Sequence, residues 1–472
     1  MSGQGVVVHE DSPENGTAIL AEFAAGLTFD DIPDRTVRFA KLLMLDNVGV
    51  ALFGSTLPWS RLVQDMVEAE GARGVSTVFG SAERTSPALA ALANAMAGHA
   101  FELDETHRDA GFHPGSMIWP TALAVAESRD AVSGKDLVTA AVAGYEVGCR
   151  VGMAGFPALF FRGFHPQGVV GPFAAAATAG RIIGLDARGM LDAIGVAGTQ
   201  AAGLMAAQEG AMVKRLHSGR AAQSGVYGAL LAERGFTGIQ NVVEAGFGGF
   251  LSAISGAPTP DDLLRGLGET WETENNYYKP YATVASIQTS LDGLRSIMRD
   301  ERLTEADIAH VDVGLGELTM VHCAWEYAAQ GVTAAQMNLF YGLAAVALEG
   351  DAFIDQYREE LLNDPRIIEF IGRISARTDD EIVRRGRAAR HAAVVEVTTR
   401  DGARHRREIW HRRGTAENPP AEGDIEAKYD ILAGRAIGDE AAAEVKAAIA
   451  DIEKLDDLSA MLDPIRAARV QA

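Results

Sequence analysis

Apolar residues recur at helical spacing over most of the first half of the chain. From about residue 18 to about residue 267 they fall at positions i, i+3 and i+4, for example over 36–54, 87–104 and 134–152. Gly and Pro separate these stretches, as helix ends and loops require. The abundant Ala and Gly residues let helix axes approach closely, so the pattern predicts a compact helical bundle.

The pattern changes after about residue 269. Residues 306–316 alternate between apolar and polar, which is typical of a half-buried strand. Residues 392–410 predict two strands joined at Asp401 and Gly402, a favoured hairpin dipeptide. This region therefore contains strands that the first half of the chain lacks.

Together the two patterns predict a mainly α fold. Helical spacing also occurs over 286–300 and 334–350 and returns in the tail after about residue 424. We expect a large all-helical domain built from both chain ends and a smaller α+β domain inserted into it. The expected ranges are 1–15 for a flexible tail, 16–268 and 411–472 for the helical domain, and 269–410 for the α+β domain, which the family resemblance given below implies to be a lid.

Length and charge narrow the function. At 472 residues the chain exceeds a typical domain of about 150 residues, so two domains are expected. Its 42 basic and 64 acidic residues give a net charge of −22, which disfavours binding to nucleic acid or to anionic membranes. Two cysteines are too few for a disulfide framework or a Cys-based zinc site. The charge thus predicts no nucleic-acid partner and no membrane partner.

The first residues show no signal peptide, because a basic start and a long apolar core are both missing. The longest apolar run, over 168–180, is shorter than the roughly 20 residues that span a bilayer. We therefore expect a cytoplasmic protein. Phosphate loops, dinucleotide fingerprints, nucleophile elbows and HExxH helices are also missing from the sequence, which gives no sign of a nucleotide cofactor.

A dense cluster of acidic and histidine residues occupies 99–116. Carboxylates beside imidazoles suit general acid–base work, because a neighbouring charge adjusts the pKa of a histidine. A metal site is an alternative, although the spacing fits no standard ligand pattern. A capped helix end followed by a polar loop is the plainest alternative. The cluster contains His99, Glu102, Asp104, Glu105, Thr106, His107, Asp109 and His113.

Two further segments could hold an anion. His165 comes just before an apolar helix, whose N-terminus favours a carboxylate. Residues 212–220 carry Lys214 and His217 among other basic groups and no acid, although long basic side chains often only point to solvent. The Arg-rich run 384–413 coincides with the predicted hairpin, and we interpret it as one solvated face of that hairpin rather than a nucleic-acid site.

Taken together, these segments resemble the MmgE/PrpD family, which includes 2-methylcitrate dehydratase, cis-aconitate decarboxylase and iminodisuccinate epimerase. The similarity runs in order through nearly the whole chain. It is carried by blocks at 98–127, 140–152, 163–177, 213–238, 277–294, 334–351 and 423–434.

The resemblance implies a helical domain with an α+β lid, a homodimer, no metal and no organic cofactor. It also implies a small di- or tricarboxylate substrate and proton transfer beside a carboxylate. The residues that carry over as catalytic are Glu102, Asp104, Thr106, His113, His165 and Lys214, and those expected to bind substrate are His217, Lys279, Gln288 and Tyr341.

Two positions depart from the family pattern. Glu102 stands where members often have Asp, and Gln288 aligns with a family His. Glutamine cannot act as a general acid–base group near pH 7, so the reaction stays open. The leading expectation is a 2-methylcitrate dehydratase-like hydro-lyase. The alternatives are an epimerase, which needs no leaving-group acid, then a decarboxylase, then a non-catalytic carboxylate-binding protein.

Overall fold

The computed structural model describes residues 15–256, 259–421 and 423–468. The flexible tail expected over 1–15 therefore lies outside the described residues, apart from Asn15. None of the helices in the described ranges is long and apolar enough to cross a membrane.

The first part of the chain is built of helices, as the periodicity predicts. Short strand pairs interrupt them: β1 (Ser76–Thr77) with β2 (Arg84–Thr85), and β3 (Thr106–His107) with the later β4 (Asn276–Tyr277). The helices are α1 (Gly16–Gly26), α2 (Asp34–Ser55), α3 (Pro58–Ala69), α4 (Pro87–Gly98), α5 (Gly115–Ala126), α6 (Gly134–Gly155), α7 (Ala158–Phe161), α8 (Pro166–Ile183), α9 (Ala187–Gly198) and α10 (Val213–Ala232).

The second part mixes helices with a sheet. Four strands form this sheet in the order β6-β5-β7-β8, and only the β5–β6 pair is parallel. The strands are β5 (Ile308–Leu315), β6 (Ile374–Thr378), β7 (Ala393–Thr399) and β8 (Arg404–Ile409). The helices are α11 (Gln288–Glu301), α12 (Glu317–Cys323), α13 (Val332–Met337), α14 (Leu339–Glu349), α15 (Glu359–Leu362), α16 (Pro365–Ile371) and α17 (Asp380–Arg385).

The chain ends with α18 (Asp424–Ile437), α19 (Asp439–Ala450) and α20 (Ser459–Ala467). Their apolar faces join the core of the first ten helices, whereas α11, α14 and the sheet enclose a second core. The mainly α fold, with one core drawing on both chain ends, is thus confirmed. The residue boundaries of the two domains stay a prediction.

Small residues bring the central helices together, as their abundance suggests. A Cβ atom at Gly219 of α10 would lie 2.4 Å from the Leu92 carbonyl oxygen of α4, which is too close for any side chain. At Gly225 it would lie 2.5 Å from the Ala176 nitrogen of α8. Glycine at these two positions therefore fixes the separation of three helices that surround the site described below.

The strand predictions are confirmed and two helix predictions need correction. β7 and β8 form the expected hairpin, and Gly402 takes a φ of 91° in its turn. The helix predicted over 87–104 already ends at Gly98, because the chain must turn to place the polar residues that follow. The helix predicted over 334–350 is split at Asn338, whose side chain caps α14 by accepting from the backbone N–H groups of Phe340 and Tyr341.

Candidate active site

A cavity lies where the loop between α4 and α5 meets the N-termini of α8 and α10 and the sheet-bearing second part. Part of its lining is apolar, which excludes water and strengthens charge interactions inside. We call Glu102, Thr106, His113, His165 and Lys214 the motif wall, and His322, Arg390, His391 and Arg412 the arginine wall.

The motif wall is centred on a buried ion pair. The Lys214 ammonium group donates to the Glu102 carboxylate, and the Lys279 ammonium lies 3.6 Å from the same carboxylate. Burial alone would raise the pKa of Glu102, but these two lysines hold it well below its ordinary value. Glu102 therefore stays ionised, and its φ of 57° shows that the backbone is strained to place it there.

His113 is held as a neutral base facing the cavity. Its Nδ1 lies 2.9 Å from the Glu105 carbonyl oxygen, which can only accept, so Nδ1 carries the hydrogen and Nε2 keeps its lone pair. The Thr106 hydroxyl lies 3.1 Å from the same Nδ1. Burial first, and then the charge of Lys279, lowers the pKa of His113 to about 3. The imidazole is consequently uncharged at neutral pH in the absence of substrate.

Two residues that the sequence did not single out as catalytic or binding hold this loop. The Gln167 amide donates to the His113 carbonyl at 3.0 Å, and its oxygen accepts from the His113 N–H at 2.9 Å. The buried Glu105 carboxylate accepts from Asn47 at 2.7 Å and from the Gly115 N–H at 2.6 Å. Burial raises the pKa of Glu105 to about 7. Glu105 belongs to the acidic and histidine cluster of the sequence, but its holding role, like that of Gln167, rests on contacts with distant helices that no local sequence signal marks.

His165 and His217 form a second imidazole pair. Their Nδ1 atoms lie 2.8 Å apart, so one ring donates to the other. His165 sits at the N-cap of α8, as predicted, and lines the cavity. Burial, followed by the charge of Lys214, lowers the pKa of His165 well below its ordinary value, and burial lowers that of His217 to about 4. His217, which the sequence predicted to bind substrate, thus contacts the site through His165.

Asp104 lies behind the motif wall rather than in it. Its carboxylate accepts from His99 Nδ1 at 2.7 Å and lies 3.7 Å from His113 Nδ1. Among the described residues, His99, Asp104 and His113 could hold a metal ion, because their ligand atoms lie within 4.8 Å of one another. The positive charge of Lys279, which acts on both Asp104 and His113, opposes a divalent cation there.

The far end of the chain completes the loop. Lys428 of α18 donates to the Leu103 carbonyl oxygen at 2.6 Å and pairs with the buried Asp46 carboxylate at 2.7 Å. Helix α18 therefore fixes the backbone beside Glu102. The contact explains how the C-terminal block of the sequence supports the site without lining the cavity.

The arginine wall was not predicted, because the Arg-rich run was interpreted as a solvated face. Its charges flank the β7–β8 hairpin, in which Ala393 pairs with Ile409. Extending that antiparallel register three residues outward sets Arg390 opposite Arg412. The hairpin ends thereby deliver two arginines and His391 to the cavity. The register could have shown from the sequence that these residues share one end of the hairpin, but not that this end faces a cavity.

None of the four residues predicted to bind substrate lines the cavity; His217 contacts His165, and the other three lie elsewhere. Lys279 is buried behind Glu102 and donates to its carbonyl oxygen at 3.2 Å. Tyr341 is packed in the second core and donates its hydroxyl to the Gln356 carbonyl oxygen at 2.7 Å. Gln288 is buried at the start of α11, with its amide nitrogen 3.3 Å from the Tyr281 carbonyl oxygen. Tyr341 and Gln288 therefore make packing contacts within the sheet-bearing second part of the chain.

The chain matches two family models and several known proteins over most of its length. The MmgE/PrpD N-terminal domain matches residues 18–262, and the MmgE/PrpD C-terminal domain matches residues 281–454. The "Cis-aconitate decarboxylase" of Aspergillus terreus is 30% identical over 467 residues, covering 95% of each chain. The "Cis-aconitate decarboxylase-like protein oryM" of Aspergillus oryzae is 31% identical, covering 97% of this chain and 98% of that protein. The human "Cis-aconitate decarboxylase" is 24% identical, covering 94% and 93%.

Proposed function

The chain belongs to the MmgE/PrpD family, and within it we propose a lyase that decarboxylates a small tricarboxylate of the cis-aconitate class. The observation that supports it is the charge of the cavity. Four cationic side chains, those of Lys214, Arg108, Arg390 and Arg412, line it together with a single described carboxylate, Glu102. Such a cavity suits a substrate that brings several negative charges.

The reaction balances with groups of the motif wall. In the decarboxylation the bond from the carbon skeleton to one carboxylate breaks, carbon dioxide leaves, and the electron pair stays on the skeleton. One proton is then added to carbon, so that a trianion and a proton give a dianion and carbon dioxide. Lys214 stabilises the charge that builds up beside the remaining carboxylate.

The proton is assigned to His113. Its imidazole is neutral without substrate, but a bound trianion favours the imidazolium form through charge attraction. Substrate binding thus brings a proton onto Nε2, and His113 hands it to carbon. Closure of the sheet-bearing part over the loop would exclude water during this step.

The decisive experiment is NMR in D₂O of the protein with cis-aconitate, 2-methylcitrate and small dicarboxylates. We expect cis-aconitate to lose carbon dioxide and gain one deuterium. Deuterium exchange without net conversion of any compound would instead indicate an epimerase. The absence of both conversion and deuterium exchange for every compound would contradict an enzymatic role.

A hydro-lyase acting on a 2-methylcitrate-like substrate is the second candidate. The expectation came first from the sequence, and the same His113–Lys214 pair supports it, because either group can protonate a leaving hydroxyl. We rank decarboxylation first because the relatives carry that activity in their names. Loss of water from 2-methylcitrate in the NMR panel, with cis-aconitate unchanged, would reverse the order.

The homodimer implied by the family resemblance belongs to the same proposal. Light scattering after size-exclusion chromatography should give twice the chain mass of 50.0 kDa. A mass of one chain at the concentrations used for the assay would contradict the dimer and leave the cavity chemistry untouched.

A further inference from the structure

The arginine wall contains a buried positive charge with no internal counter-ion. Arg412 is 5% exposed, and its guanidinium lies 4.4 Å from the centre of the Tyr277 ring. It forms no ion pair with a carboxylate of the described residues. Tyr277 acts on it most, but burial raises the pKa of this phenol, so it brings no negative charge near pH 7. The charged side chains that act on Arg412 next, Arg390 and Arg108, are both positive. Burying an unpaired charge is costly, so the folded protein holds Arg412 at an energetic disadvantage.

The neighbouring groups do not remove this disadvantage. Arg390 pairs with Asp109 at 3.3 Å and donates its Nε to His391 Nε2 at 3.2 Å. Because arginine can only donate, a neutral His391 must carry its hydrogen on Nδ1. That Nδ1 is buried and has no hydrogen-bond partner among the described residues. One unpaired cation and one unused donor therefore line the same cavity.

On the motif wall the buried charges already have counter-ions within the protein. The Glu102 carboxylate, the acidic group that lines the cavity, is occupied by Lys214. No described acid of the cavity is left to neutralise Arg412. The missing negative charge is one that a bound molecule must bring.

We propose that Arg412, Arg390 and His391 form a second carboxylate subsite, which makes the enzyme select tricarboxylates over dicarboxylates. The inference rests on the proposed function for the identity of the substrate. A guanidinium presents parallel N–H donors that match both oxygens of a carboxylate. The third carboxylate of the substrate occupies this subsite while the others are held at Lys214.

The test compares two probes that differ in this one group. Citraconate is cis-aconitate with the carboxyl group of its carboxymethyl arm replaced by hydrogen. Calorimetric dissociation constants are measured for both compounds with the wild type, Arg412→Gln and the matched control Arg406→Gln. Arg406 lies in the same Arg-rich run, on β8, with its side chain 54% exposed, and outside the cavity lining.

We expect Arg412→Gln to weaken cis-aconitate binding by about 10–100-fold, the usual effect of losing a charge-assisted hydrogen bond. Citraconate binding should change less than about threefold, and Arg406→Gln should leave both constants unchanged. An equal loss for both probes would overturn the subsite and assign Arg412 to packing against Tyr277. No loss for either probe in a folded variant would overturn it too.

Arg412→Lys guards against misfolding, since it keeps the charge and loses the planar fork. This variant should recover part of the cis-aconitate affinity. If its dissociation constants for cis-aconitate and citraconate rise by the same factor relative to the wild type, the proposal is overturned. Measuring binding and turnover side by side tests the subsite and the proposed reaction independently. Selective binding of cis-aconitate without turnover contradicts the proposed function and supports the subsite, whereas turnover with undiminished binding in Arg412→Gln does the reverse.

Discussion

The two walls of the cavity treat charge in opposite ways. On the motif wall every charged group is paired inside the protein, as Lys214 is with Glu102. On the arginine wall Arg412 packs on the Tyr277 ring, and the charged side chains that act on it most are arginines, with no carboxylate of the described residues paired to it. A wall whose charges are already paired is prepared to move protons with little rearrangement, whereas an arginine left unpaired gains most from an incoming anion. Under the two proposals above, this difference separates catalysis from selection within a single cavity.

Breaking the ion pair of the motif wall should have the largest effect. Lys214→Ala leaves the buried Glu102 carboxylate with Lys279 alone, and we expect kcat/KM to fall about 10³-fold, with kcat lowered and KM raised. Steady-state kinetics on cis-aconitate measure it, with circular dichroism as a check on folding. The matched control is Arg220→Gln, an exposed position of the same helix. Unchanged kinetics in Lys214→Ala would remove Lys214 from the site.

Removing the base of the motif wall sharpens the contrast with the arginine wall. His113→Asn deletes Nε2, so kcat should fall about 10²-fold while KM changes little. Arg412→Gln should act mainly on KM. Single-turnover kinetics separate the two effects. The exposed His310 serves as control through His310→Asn, and a His113→Asn enzyme that loses only affinity would contradict its role in proton transfer.

Acid should destabilise both walls alike. Burial lowers the pKa of His113 to about 3 and that of His322 to about 4, against 6.5 in the unfolded chain. Between these values only the unfolded state binds the protons, so their contribution to stability is complete above pH 6.5 and is lost as the pH falls toward 4 and 3.

The measurement is the free energy of unfolding in urea at pH 7, 6 and 5. Each of these histidines lowers it by at most about 1.4 kcal/mol per pH unit. His322→Gln should make the fall shallower by one such contribution. A free energy that stays level or rises between pH 7 and 5 would show that these imidazoles are already charged in the folded protein.

The smallest effect is expected outside both walls. Tyr341→Phe removes one hydrogen bond, from the tyrosine hydroxyl to the Gln356 carbonyl oxygen, and should cost about 1 kcal/mol of stability. Since the ring lies in the second core, kcat/KM should change less than about twofold. A large rise in KM would return Tyr341 to the substrate site predicted from the sequence.

The motif wall was predictable and the arginine wall was not, for a physical reason. His113, His165 and Lys214 stand in compact blocks where unusual polar residues interrupt apolar helices, so local sequence marks them. Arg412 follows a strand that already carries three arginines, and such a basic run is the same whether the strand end meets water or a cavity. Only the folding of the hairpin end against Tyr277 distinguishes the two.

The same limit applied to the helices. Periodicity located α2, α6 and α11 well, because their buried faces repeat along the chain. It overran the end of α4, since nothing in apolar spacing records that Glu102 must adopt a left-handed backbone conformation to reach Lys214. Tyr341 and Gln288 show a different limit. The family resemblance suggested that they bind substrate, but it did not reveal that they pack within the sheet-bearing second part of the chain.

The contact between Lys428 and the Leu103 carbonyl oxygen also sets an order in time. The two residues are separated by 325 positions, so a ribosome adding about 5–20 residues per second needs roughly 16–65 s to pass from one to the other. Throughout that interval the catalytic loop exists without the helix that holds it. The candidate site of the nascent chain is therefore incomplete until α18 emerges, and translation itself delays its assembly.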